Sequence, residues 1–183
     1  MKTIDLSVVV NPLPTASISG AVSVCKNDTN PLVVLTGANG TAPYTFTYNK
    51  NGDTNQTIVS SGNSVSLATS TSTVGTTVYN LISVQDSSAI SCSQSQTGAA
   101  TVIVNPIPVL VVNQPAAVCA PNTVDITTTT IGSDSGLTYT YWKDALSTIP
   151  YPTPATAGSG TYYIKATNTF GCFTIKSVTV IVN

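Results

Sequence analysis

The chain has 183 residues, 42% of them hydrophobic and only 7% charged, with six lysines against seven aspartates and a net charge of −1. It contains no histidine, arginine or glutamate, which excludes Ser-His-Asp and Cys-His catalysis and a phosphate-tracking basic surface, so neither an enzyme nor a nucleic-acid binder is expected. No apolar run approaches the ~18 residues of a membrane span, and Met1-Lys2-Thr3 leads directly into a strand pattern, as expected of a piece of a longer chain with an added start.

Residues 3–10 alternate as a strand that places Ile4, Leu6, Val8 and Val10 on one face. The strand runs into a string that returns. Val8-Val9-Val10-Asn11-Pro12-Leu13-Pro14 recurs as Val102-Ile103-Val104-Asn105-Pro106-Ile107-Pro108, and again, truncated, as Val180-Ile181-Val182-Asn183. A β-branched run followed by Asn-Pro-x-Pro is a strand ending in a stiff turn. From Asn11 to Asn105 is 94 positions and from Asn105 to Asn183 is 78, each the size of one immunoglobulin-like sandwich. Residues 1–10 are therefore read as the last strand of a preceding repeat, or as a strand donated to a neighbour. Residues 11–105 form a first repeat and 106–183 a second. The predicted fold is all-β, with two tandem sandwiches joined by a short proline-rich linker whose fixed φ angles make it stiff.

In the first repeat the strands are expected at 16–19, 32–36, 44–49, 56–60, 64–68, 77–85 and 99–104. They are separated by turn sequences such as Asn51-Gly52, a hairpin signal. In the second they are expected at 109–112, 123–130, 137–143, 161–168 and 173–182, with weaker candidates at 149–151 and 153–157. The threonine-rich stretch 127–130 is read as strand from its β-branched residues, and no segment has a helical period with capping signals. The cysteines fall two to a repeat. Equivalent positions argue for Cys25–Cys92 and Cys119–Cys172 disulfides, hence an oxidising, extracellular setting, each bridge contributing up to about 4 kcal/mol. The pairing requires the segment carrying the first cysteine to fold back to the far pole of its sandwich.

Val8 to Gly20, Ser23-Val24-Cys25-Lys26-Asn27, Gly37 to Asn49 and Tyr79-Asn80-Leu81 resemble the PKD-like and Ig-like repeats of very large surface adhesins of Bacteroidota. Gly160 to Cys172 is similar to the penultimate strand and turn of a second repeat type in such proteins. The resemblance implies a PKD-like or Ig-like sandwich, secretion, commonly by the type IX route, and a role in adhesion, gliding or surface-layer architecture. The sorting domain which that secretion uses is not in this sequence.

Three readings follow. The first is a non-catalytic stalk of an extracellular adhesin that presents a distal binding region and whose partners are neighbouring repeats. The second is a filament of identical subunits joined by strand donation through residues 3–10. The third is a glycan-binding module that uses Trp142. Trp142 shares a strand face with Thr138 and Thr140, opposite Leu137, Tyr139 and Tyr141. With Tyr151 nearby it is placed to meet a sugar or a neighbouring module, unless the proline-rich stretch 150–154 covers it. No cofactor is expected, with bound calcium kept as the alternative. Asn49-Lys50-Asn51-Gly52-Asp53 has a superficial likeness to a calcium loop, but it lacks the first aspartate and the final bidentate acid and is better explained as a hairpin turn. Asn27, Asn39 and Asn55 match the N-glycosylation pattern, which the abundance of Asn and Thr produces by chance.

Overall fold

The computed structural model describes residues 10–130 and 133–183, and the chain divides into two compact units between Val104 and Asn105. The described residues contain strands and two short 3-10 turns, and no α-helix.

The first unit is a two-sheet sandwich. One sheet has the order β1 (Thr15–Ser19), β3 (Leu32–Ala38), β6 (Ser64–Ala68). The other runs β2 (Val22–Cys25), β9 (Ala99–Asn105), β7 (Gly75–Gln85), β4 (Thr45–Lys50), β5 (Gln56–Val59), with β8 (Ser93–Ser95) also pairing β7. Strand alternation supplies the core. Val33 and Leu35 of β3 face Phe46 and Tyr48 of β4, Tyr79, Leu81 and Val84 of β7, and Ala100 and Val102 of β9. The switch from odd to even positions within β7 follows a bulge. Thr47 pairs Ser83 but Tyr48 pairs Leu81, so Ile82 is the extra residue and both Leu81 and Val84 point inward.

Seven of the nine strands of this unit lie where the periodicity puts them, within two residues at either end. The hairpin turn is also as read: Asp53 N–H bonds the Lys50 carbonyl at 2.9 Å, and Asn51 and Gly52 both take positive φ. Two strands are additions. After β1 the chain turns at Gly20 (φ 103) and crosses to the other sheet as β2. A Cβ on Gly20 would fall 2.3 Å from the Leu32 carbonyl oxygen, so only glycine fits there. β8 is a three-residue edge with no hydrophobic signal.

The second unit has one regular sheet in the order β10 (Thr138–Trp142), β11 (Gly160–Thr167), β12 (Phe173–Val180). Outside this sheet, isolated bridges join Val112 to Thr130 and Val124 to Ala157, while Val118 pairs Val182 just beyond the end of β12. The core of the unit is Leu110, Val124, Ile126, Ala157, Tyr162, Ile164, Ala166, Val178 and Val180. Residues 123–130 are not the expected strand, because Ile126–Thr128 forms a 3-10 turn. Side chains decide this. The Asp125 carboxylate accepts from Thr127 N–H (2.9 Å) and Thr127 Oγ1 (2.6 Å), and Thr129 Oγ1 donates to the Ile126 carbonyl (2.7 Å). Pro154–Thr156 is likewise a 3-10 turn rather than strand, and of 109–112 only Val112 forms a bridge.

The expected disulfides are not the ones found. Cys92 and Cys119 are free, while Cys25 and Cys172 are disulfide-bonded. Cys25 does not fold back. It ends β2 next to Asn27, whose N–H bonds Thr71 near the start of β7, whereas the Cys92 carbonyl accepts from Asp86 just past the end of β7. The eleven residues of β7 separate these poles by about 33 Å, against the roughly 7 Å Cα limit of a disulfide. Cys172 directly precedes β12, while Cys119 lies where Ala120 N–H bonds the Asn183 carbonyl, past the far end of that strand.

Two tyrosines use one device. Tyr44 Oη donates to the carbonyl of Gly40 at 2.8 Å and accepts its N–H at 3.1 Å, and Tyr162 Oη donates to the carbonyl of Gly158 at 3.1 Å. Each ties a buried aromatic to the loop four residues upstream. At the same pole of the first unit, buried Asp86 accepts from Thr41 N–H (3.1 Å), Ser88 N–H (3.3 Å) and Ser88 Oγ (2.8 Å). Burial acts to raise its pKa, but the bonds from Ser88, Thr41 and Cys92 together hold it below the usual carboxylate value. A carboxyl depressed in the folded state stabilises it above the unfolded value near 3.9 and loses that contribution as pH falls through the folded one. Thermal melts from pH 7 to pH 2 are therefore expected to fall on the acid side. Asp86→Asn should be weaker at pH 7 and show a shallower acid limb, and an unchanged limb would contradict this role.

Candidate functional site

The strand-face alternation that builds the second core leaves an aromatic face on the other side of its sheet. Tyr162, Ile164 and Ala166 of β11 point inward, so Tyr163 and Lys165 point outward. The register then sets the rows. Trp142 lies opposite Tyr163, Thr140 opposite Lys165, and Lys165 opposite Ile175, while Phe173 pairs Thr167. Trp142 Nε1 donates to Thr140 Oγ1 at 2.8 Å, which fixes the indole along its own strand. The Lys165 Nζ sits 4.0 Å from the centroid of the Phe173 ring, itself 48% exposed.

Trp142 is thus on the outer face, half-buried, as its alternation with Tyr139 and Tyr141 predicts. Tyr151 is not its partner. Lys143 N–H bonds Ile149 and Tyr151 N–H bonds Tyr141, so the 149–151 stretch continues the sheet beside β10. Pro150 pairs Trp142, and Tyr151 alternates to the core side, with its ring centroid 4.4 Å from that of Tyr162. Tyr163, Lys165 and Phe173 are the residues that sequence reading missed. The signal was present in Tyr162-Tyr163-Ile164-Lys165, where alternation forces one tyrosine of the pair outward.

Asp144 holds that edge in place. Its carboxylate accepts from the N–H groups of Leu146, Thr148 and Ile149, the last at 2.7 Å, and from Thr148 Oγ1. Burial acts to raise the Asp144 pKa, and these bonds, led by Ile149, outweigh it and lower the value. Burial, then the charge of Asp125, raise the pKa of Tyr141 on the core side.

Of the expected donor strand, Ile4, Leu6 and Val8 lie outside the described residues, and Val10 is 86% exposed. No group of three or more metal-ligating side chains occurs among the described residues. Among them, too, no helix is long and apolar enough to cross a membrane.

No protein-family model matches the chain, and no curated protein matches it by sequence. Solved structures of similar architecture include a three-immunoglobulin-domain fragment of titin, with 14% identity over 95% of this chain and 66% of that one and a TM-score of 0.47. A calcium-stabilised adhesin of an Antarctic bacterium that binds ice has 14% identity over 95% of this chain and 50% of that one, with a TM-score of 0.45. The insect immune protein hemolin has 16% identity over 99% and 49%, with a TM-score of 0.39. The chain therefore spans about two thirds of the titin fragment and half of the other two. The described residues are all-β and fall into two compact units, the first a two-sheet sandwich.

Proposed function

We propose that the chain is a pair of non-catalytic structural repeats of an extracellular adhesin, which carry tension along a stalk and hold a distal binding region away from its anchor. One observation carries this reading: each unit receives the chain at one pole and releases it at the other. In the first, Thr15 pairs Ala38 and Pro14 packs by Gly40 and Asp86, while the departing Val104 pairs Gly75 at the opposite end of β7. In the second, the Pro106 and Pro108 carbonyls accept from Asn168 and Thr174, at the end of β11 and the start of β12. The departing Val182 bonds Ser159 beside the start of β11. A pull on the ends runs along the strands and loads their perpendicular hydrogen bonds together.

Disulfide-bonded Cys25 and Cys172 favour an oxidising, extracellular location. The resemblance to Bacteroidota surface adhesins fits a cell-surface stalk secreted by the type IX route. Single-molecule pulling from the two ends under reducing conditions tests the reading. Two discrete unfolding events are expected, the larger releasing about 90 residues at roughly 3.6 Å each. A smooth extension without force peaks would contradict a load-bearing role.

A further inference from the structure

We propose that the outer face of the second unit's sheet binds an acidic polysaccharide, with sugar rings lying on Trp142 and Tyr163 and a uronate carboxylate meeting Lys165. This goes beyond the stalk reading and does not depend on it.

Three observations point to this occupant. First, Trp142 and Tyr163 are directly opposed across β10 and β11, so their Cβ atoms stand about 5 Å apart. Both are half-buried amphipathic rings on the outer face, of the kind that accepts the apolar face of a sugar. Second, the surface is set before binding, since the indole N–H is held by Thr140 Oγ1 and less ordering is required when a ligand arrives.

Third, the charge of the face selects an anion. Lys165 is its charged residue, with Thr140 and Ile175 beside it in the same row. Meanwhile the unit's three aspartates are turned to other tasks. Asp125 caps the 3-10 turn, Asp134 accepts from Val109 N–H at 2.7 Å, and Asp144 closes its own loop. A cation on an aromatic face, with the unit's aspartate carboxylates bonded within their own loops, complements a negative ligand. Lys165 lies two residues from Tyr163 along β11, about 6.6 Å, which suits a strand of linked acidic sugars better than one isolated ring.

The only tryptophan of the chain is in the site, so its fluorescence reads binding directly. The full chain should be titrated with hexagalacturonate, and with the neutral hexasaccharide cellohexaose as control. Saturable quenching is expected with the acidic ligand and weaker binding to the neutral one. The acidic affinity should fall as salt screens Lys165. By calorimetry, Lys165→Gln should weaken hexagalacturonate about tenfold, the equivalent of one charge-assisted contact, and Trp142→Ala should abolish binding. Trp142→Phe, which keeps a ring, should retain part of it and guards against loss through misfolding. Equal binding of the two sugars would overturn the acidic assignment. Unchanged affinity in Trp142→Ala, or no saturation with folded protein, would overturn the site.

Discussion

Phe46→Ala is expected to destabilise the first unit by about 3–5 kcal/mol. Phe46 is fully buried on β4 in the first core, its ring 6.2 Å from that of Tyr44, so its loss would leave a cavity among the packed side chains. Such a cost is a large fraction of the ~5–15 kcal/mol that holds a domain folded. The location of Trp142 makes the readout specific. Far-UV circular dichroism sees both units, whereas tryptophan fluorescence sees the second alone. In denaturant, the circular dichroism should show a transition moved to lower concentration while the fluorescence midpoint stays in place. A fluorescence midpoint that moves equally would mean that the two cores unfold as one.

Ile164→Ala is the reciprocal case, with an expected cost of about 2–5 kcal/mol. Ile164 is fully buried in the central strand β11, opposite Tyr141 and Lys176, and belongs to the core that Ile126 and Val178 also build. Here the tryptophan transition itself should shift. For a unit of this size, each kcal/mol lowers the melting temperature by roughly 4–8 °C, so the second unit should melt well below its unsubstituted temperature. A shift under ~1 kcal/mol would contradict the place assigned to Ile164 as the centre of a sparse core.

Long, alternating strands were legible from the sequence. Tyr44, Phe46 and Tyr48 declare a buried face by period alone, and Leu137, Tyr139 and Tyr141 declare theirs in the same way, with Trp142 left on the outer face. What failed was decided by contacts that period does not encode. β2 exists because Gly20 lets the chain change sheets, and Val22 at its start is exposed, so it carries no core signal. The threonines of 127–130 have strand propensity, but their hydroxyls and the Asp125 carboxylate satisfy the backbone locally and turn the chain. The cysteine pairing failed because positional equivalence between repeats says nothing about which pole each cysteine occupies. The aromatic face was half legible. Trp142 was found as a lone tryptophan, but its true neighbour depends on the β10–β11 register, which places Tyr163 and not Tyr151 beside it. The exposed Phe173 and the cation above it follow from the β11–β12 register alone.

The direction of force tests the central claim most directly. If the first unit carries load from pole to pole, pulling between residues 15 and 105 shears β1 against β3 and β9 against β7. Pulling between residues 44 and 60, which are paired at one pole through Ser60 N–H and the Tyr44 carbonyl, opens β4 and β5 one bond at a time. At equal loading rate, the end-to-end geometry should give the clearly higher force peak. Equal or lower force in that geometry would contradict a tension-bearing stalk.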